Sequence, residues 1–250
     1  MELVDALIQK ERPRTDHFVE IPYEFGRLRL DLLAPVEVAL TQTGMTPEMV
    51  RQTDDIIENA LRARLAGDIA GEETMLLDAV KQYPFASSLY GALYAMYDGQ
   101  GNLTEAEFYI KQVIALTPDY RNMTYLARNL GRQEKFEEAA TIQQHLWNTR
   151  VEATVTEALD AVYDYMVTLG RLQQAHTIIE VASQAMQEFG DRPTLVYQYI
   201  FGLVLDNQGD AAREQLRRVL PQISPQDPLY LHFTRMRDYL GLPNSERLRP

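Results

Sequence analysis

The sequence predicts an all-α fold, a solenoid of about five helix pairs, and three observations carry that prediction. Five small or polar residues, Glu72, Ala106, Ala139, Ala175 and Ala212, each open a second helix and are followed by hydrophobic residues four and seven positions on, Gln143 being the interruption. Their spacings are 34, 33, 36 and 37 residues, and a period near 34 marks stacked helix pairs. Turn-forming residues recur with the same rhythm, at Gly67-Asp68, Gly101-Asn102, Gly170-Arg171 and Gly209-Asp210.

Residues 1–49 stand apart from the repeats. Met1 to Lys10 is a short amphipathic stretch containing Glu2 and Asp5, without a basic n-region or an apolar h-region, so no signal peptide is expected. From 18 to 33, Val19, Ile21, Tyr23 and Phe25 alternate with polar or proline positions, and so do Leu28, Leu30 and Leu32. Strict alternation predicts a short β-hairpin. A two-residue loop at Phe25-Gly26 sets Tyr23 opposite Leu28, Ile21 opposite Leu30 and Val19 opposite Leu32. Glu24 then faces Arg27 on the other side, and Pro22 needs an edge. Two strands alone are marginal in water. The hairpin is therefore expected either to dock a partner or complete a dimer, or to fold over the first helix pair as a cap.

Residues 50–222 hold the helix pairs. In Ser87 to Pro118, Tyr90, Leu93, Tyr94 and Tyr97 fall at i, i+3, i+4 and i+7, one face of a first helix. The run Asp98-Gly99-Gln100-Gly101-Asn102 breaks it. Ala106, Ile110 and Val113 mark the second helix, and Pro118 stops it. The same register gives first-helix faces Met123, Leu126, Ala127, Leu130; then Leu159, Val162, Tyr163, Met166; then Val196, Tyr199, Ile200, Leu203. Matching second-helix seams are Ala139 with Leu146, interrupted by Gln143; Ala175 with Ile179 and Ala182; and Ala212 with Leu216 and Val219. Stacked repeats need terminal caps. Residues 223–250 supply a capping helix through Leu229, Leu231, Phe233, Met236 and Leu240, stopped by Gly241 and Pro243, and then a tail.

These residues resemble the tetratricopeptide repeat (TPR) family, in divergent form. The resemblance implies antiparallel pairs of helix A and helix B stacked into a right-handed superhelix, with helix A lining a concave groove. Departures exist: Tyr94, Tyr163 and Ile200 stand where the family prefers a small residue, and Val151, Gln187 and Ser224 replace the stopping proline seen at Pro84 and Pro118. The first repeat is the weakest match, with Asn59 and Ala60 where larger apolar groups are usual. The family's chaperone-tail clamp looks absent, since its positions carry Ile57, Leu61 and Ala92.

Composition excludes several chemistries. The chain has no cysteine, which removes disulfides, thiolate nucleophiles and cysteine-ligated metal. Its formal charge of −12 opposes polyanions, so neither nucleic acid nor an anionic membrane is an expected partner. No apolar run reaches the roughly 18–20 residues of a spanning helix. A soluble, cytoplasmic protein is the expectation. His17, His145, His176 and His232 are scattered, and no metal-site spacing, nucleophile elbow or P-loop occurs. The Asp98–Asn102 run fails a calcium-loop template, because Leu103 stands where glycine is needed and Tyr109 where glutamate is. Paired acids at Asp54-Asp55, Glu72-Glu73 and Glu137-Glu138 suit first helical turns. No cofactor and no catalytic residue are expected.

The groove that the resemblance implies presents Arg121, Thr124, Tyr125, Arg128 and Arg132 in the third repeat. The fourth presents Glu157, Asp160 and Asp164; the fifth, Tyr197, Gln198 and Phe201; the second, the small residues Ser88, Gly91, Ala92 and Ala95. Three arginines beside an aromatic suit an acidic peptide or carboxylate, which guanidinium forks grip in pairs. Alternatively, Arg128 and Arg132 pair with Asp160 and Asp164. The expected function is a protein-interaction scaffold or adaptor that binds a peptide or partner subunit. An enzyme with a site among Arg128, Asp160, Asp164 and Tyr125, or an RNA-binding repeat, are the alternatives. Tyr90, Tyr94 and Tyr97 are expected in the core; Trp147 suits either packing between repeats or an exposed anchor.

Overall fold

The computed structural model describes residues 18–23, 26–31 and 45–243. Strands β1 (Phe18–Tyr23) and β2 (Gly26–Asp31) pair antiparallel. Their register differs from the one expected. Ile21 is the Cα partner of Leu28, Val19 of Leu30 and Tyr23 of Gly26. Registers two positions apart keep every residue on its face, so apolar alternation cannot choose between them. Arg27 therefore meets Pro22 and Arg29 meets Glu20; the expected partners Glu24 and Leu32 lie outside the described residues.

Eleven α-helices follow among the described residues. They are α1 (Pro47–Leu65) and α2 (Ile69–Gln82), α3 (Ser87–Gln100) and α4 (Leu103–Leu116), and α5 (Tyr120–Arg132) and α6 (Phe136–Asn148). Then come α7 (Val155–Arg171) and α8 (Ala175–Phe189), α9 (Pro193–Leu205) and α10 (Gly209–Val219), and α11 (Tyr230–Tyr239). The backbone divides at Ala153 and Thr154 into two compact units. No helix among the described residues is long and apolar enough to cross a membrane.

Helix starts follow local chemistry. Thr46, Asp68 and Asp119 accept from the amides of Met49, Gly71 and Asn122, at 3.2, 2.8 and 2.7 Å. Thr154 and Glu157 form a reciprocal capping box at the start of α7. Inside every pair, one residue in the left-handed region reverses the chain: Gly67, Gly101, Glu134, Gln173 and Asn207. The expected turn glycines of the last two pairs fall elsewhere. Gly170 lies within α7 and Gly209 opens α10, because the helices end and start around Gln173 and Asn207 instead.

Those turns fix the register. Glu72, Ala106, Ala139 and Ala212 each lie five residues beyond a left-handed residue and are 3%, 0%, 0% and 0% exposed. In the fourth pair that position belongs to Ile178, also fully buried, and not to Ala175. The expected register is thus three residues early there. Its first-helix face is Val162, Tyr165, Met166 and Leu169, all buried, while Tyr163 is 36% exposed. A small residue at Ala175, one turn too soon, mimicked the seam.

Unit 1 buries Tyr90, Leu93, Leu126, Leu130, Ile142 and Leu146 between its three pairs. Trp147 is buried too, with the Arg150 guanidinium 3.8 Å over its ring. Two polar devices lie inside this unit. Glu72 occupies a seam where three of the other pairs keep alanine, and Arg64 grips it bidentately at 2.7 and 2.8 Å. Glu107 of α4 accepts from Lys111, from Lys135 at 2.6 Å and from Gln133 at 2.8 Å. Gln133 and Asn129 also donate to the Leu103 carbonyl, each at 3.2 Å, which ties α4 to the α5–α6 turn. Burial pushes the Glu107 carboxyl up, but the hydrogen bonds from Lys111, Lys135 and Gln133 outweigh it and hold the pKa at about 2.

In unit 2, α11 covers the last pair. Phe233 is fully buried against Ile200, Leu203, Leu216 and Ile223, and Met236 and Leu240 join it. Leu231, expected in that seam, is 55% exposed. The Arg213 Nε donates to the Leu240 carbonyl at 3.0 Å, closing the end of α11, and Gly241 terminates it at φ +68°.

Candidate functional site

The first helices of unit 1 carry the richest constellation. On α5, Arg121, Arg128 and Arg132 are exposed, Tyr125 is 37% exposed and Thr124 half-buried. Spacings of three and four residues put these side chains on one stripe, while Met123, Leu126, Ala127 and Leu130 fill the buried stripe behind. Thr124 spends its hydroxyl hydrogen on the Tyr120 carbonyl, at 2.9 Å.

Tyr94 of α3 joins this stripe from the neighbouring first helix. Its ring stacks on Tyr125 with centroids 5.8 Å apart and planes 28° from parallel. Burial and the charge of Asp98 push its hydroxyl up to about 12, against the opposing pull of Arg132 and Arg128. Tyr94 is therefore half-buried at the rim, where the core was expected; Tyr90 and Tyr97 are buried as expected. Tyr97 donates to Glu73 at 2.5 Å and lies parallel to Tyr109, centroids 5.4 Å apart. A signal for Tyr94 existed in the sequence: it stands at the close-packing position of its repeat, where a side chain that large has to swing to the edge.

Arg132 reaches Asp98 of α3 with one guanidinium nitrogen and touches the Asp98 carbonyl with the other at 3.5 Å. Arg132 thus has an ion-pair partner on the neighbouring first helix of its own unit. Ser88 and Ala95 of α3 are exposed, and Gly91 and Ala92 are half-buried, so α3 presents little side-chain bulk beside the arginines.

In unit 2, Asp160 and Asp164 lie on α7, exposed and half-buried respectively. Tyr197 and Phe201 of α9 are half-buried. Gln198 is 4% exposed, inside the unit, so it is not on the open face where it was expected. The corrected register brings Tyr163 and Val167 of α7 to that face, 36% and 38% exposed. Burial, with Tyr163 nearby, raises the Tyr197 hydroxyl pKa. The Phe201 ring lies over Gly170, where a Cβ would sit 3.0 Å from its Cε1. Gly202 likewise lets α9 approach Ile178 and Ile179. Among the described residues, no three His, Cys, Asp or Glu side chains gather as a metal site.

No protein-family model matches the sequence, and no curated protein does. Solved structures do resemble it in fold. A tetratricopeptide repeat protein from Parabacteroides merdae superposes with a TM-score of 0.62 over 75% of this chain and 73% of its own, at 14% identity. The nearly identical TPR-like repeats of a Podosopora anserina protein give 0.54 at 17% identity, over 70% and 95% of the two chains. The Pseudomonas aeruginosa protein pilF gives 0.53 at 14% identity, over 75% and 84%. The fold is that of divergent TPR-like repeats, an all-α solenoid of helix pairs.

Proposed function

We propose that this chain is a binding scaffold for another polypeptide, and that an acidic segment of that partner lies along α5. The observation that carries the reading is the row of Arg121, Arg128 and Arg132 beside the stacked Tyr94 and Tyr125, on a chain whose net charge is −12. Guanidinium forks bind carboxylates in pairs, and a rigid aromatic pair offers contact area at little cost in rotamer freedom. Asp98 orients the Arg132 guanidinium. The small side chains of α3 leave room for a backbone beside the row. TPR-like relatives in fold support a scaffold role only in general terms, and the acidic segment is inferred from these residues alone. Asp160, Asp164, Tyr163, Tyr197 and Phe201 offer unit 2 a second, differently charged face for the same purpose.

The test is an affinity pull-down with the full-length chain and an Arg121→Ala/Arg128→Ala variant. The variant should lose the partner retained by wild type while melting within about 4 °C of it, because exposed pairs contribute only about 0–1 kcal/mol, and 1 kcal/mol is worth about 2–4 °C in a chain of this size. Equal retention by both would overturn the assignment to α5.

A further inference from the structure

In unit 2, α9 and the capping helix α11 flank a groove of about 590 Å³. Its floor is apolar, formed by Tyr197, Phe201 and Met236, and its rim carries His232, Arg235 and Tyr239. Tyr197 is held in place by edge-on contacts to Phe233 and His232, with centroids 5.5 and 5.9 Å away. Tyr239 stands 76% exposed at the mouth, a large aromatic kept in water.

Charge sets this groove apart. The chain has 36 acidic residues, yet none lines it. On its rim Arg235 is exposed and, among the described residues, has no ion-pair partner. An exposed cation lining the same groove as Tyr197 and Phe201 suits a ligand that is apolar at one end and anionic at the other. The volume takes one large side chain with a short run of backbone.

We propose that this groove docks a short segment of a partner polypeptide, which presents an aromatic side chain to Tyr197, Phe201 and Met236 and an adjacent carboxylate to Arg235. The aromatic side chain supplies buried area in a preformed pocket, and the carboxylate fixes orientation through the guanidinium fork. This rests on the reading of the chain as a polypeptide binder but makes no use of the arginines of α5.

The experiment titrates isotopically labelled full-length chain with N-acetyl-Phe-Asp amide and, separately, N-acetyl-Phe-Asn amide, following backbone amides by NMR. Amides of α9 and α11 should shift with both peptides, and the Asp peptide should bind roughly tenfold more tightly through its charge-assisted contact. Arg235→Gln should make the two peptides equal, and Arg121→Ala/Arg128→Ala should leave both titrations as in wild type. No shift in α9 and α11, or equal affinities in the wild-type chain, would overturn the proposal. A failure here, with the pull-down still sensitive to the α5 arginines, removes this groove and leaves the α5 site standing. Success here with an insensitive pull-down does the reverse.

Discussion

Replacing Glu107 by glutamine tests how far one ionised side chain holds the middle of unit 1 together. The wild-type carboxyl is lowered from 4.5 to about 2. A shift of that size corresponds to a ceiling of about 3 kcal/mol favouring the folded state once the group is ionised. Lys135 is 38% exposed, so water screens part of this, and about 1–2 kcal/mol is the working figure. The sign follows from a folded pKa below the unfolded one. The contribution is complete at neutral pH, begins to drain below about pH 5 as the unfolded carboxyl takes up protons, and is gone near pH 2. Urea unfolding followed by the fluorescence of Trp147, the single tryptophan and a buried residue of unit 1, reads the right part of the chain. At pH 7 Glu107→Gln should unfold at lower urea than wild type, and the gap should narrow steadily towards pH 3. An unchanged midpoint at pH 7 would refute the reasoning, and so would a gap that stays constant with pH, which would point to packing.

Two further outcomes follow from other devices in the fold. Arg64→Met should cost about 2–3 kcal/mol by leaving Glu72 buried without its cation, and adding Glu72→Ala should recover most of that loss in a thermal melt. Gln173→Gly should raise stability by about 0.5–1 kcal/mol, since a non-glycine residue held left-handed is strained, whereas Asn207→Gly should gain less because asparagine tolerates that region.

The period and the helix pairs were legible because burial imposes them: a seam residue must recur wherever two helices touch. What the period could not do was count through the fourth pair. Ala175 offered a plausible small residue, and only the turn at Gln173 reveals that Ile178 takes its place. Glycine also misled, since Glu134, Gln173 and Asn207 adopt the left-handed conformation while Gly170 is needed beneath the Phe201 ring. At the candidate site, the α5 arginines could be read directly from helical spacing. Gln198 could not, because which side of a helix rim a residue reaches depends on neighbours from other repeats, whereas the size of Tyr94 at a close-packing position was a signal left unused. The hairpin register was open for a different reason, the equivalence of faces under a shift of two.

The interval between turn and seam bears on how such a chain can change length. From each left-handed residue to its seam residue the count is always five, while successive turns lie 34, 33, 39 and 34 residues apart. Extra sequence has therefore entered outside that interval. One residue added within it would rotate the second helix by about 100° and swing its apolar stripe away from its partner. A residue added in the connection between pairs leaves each pair's own contacts untouched. The helix pair behaves as a sealed cassette with a fixed internal phase, and the stretches joining cassettes are where insertions, tags or new loops can be accommodated.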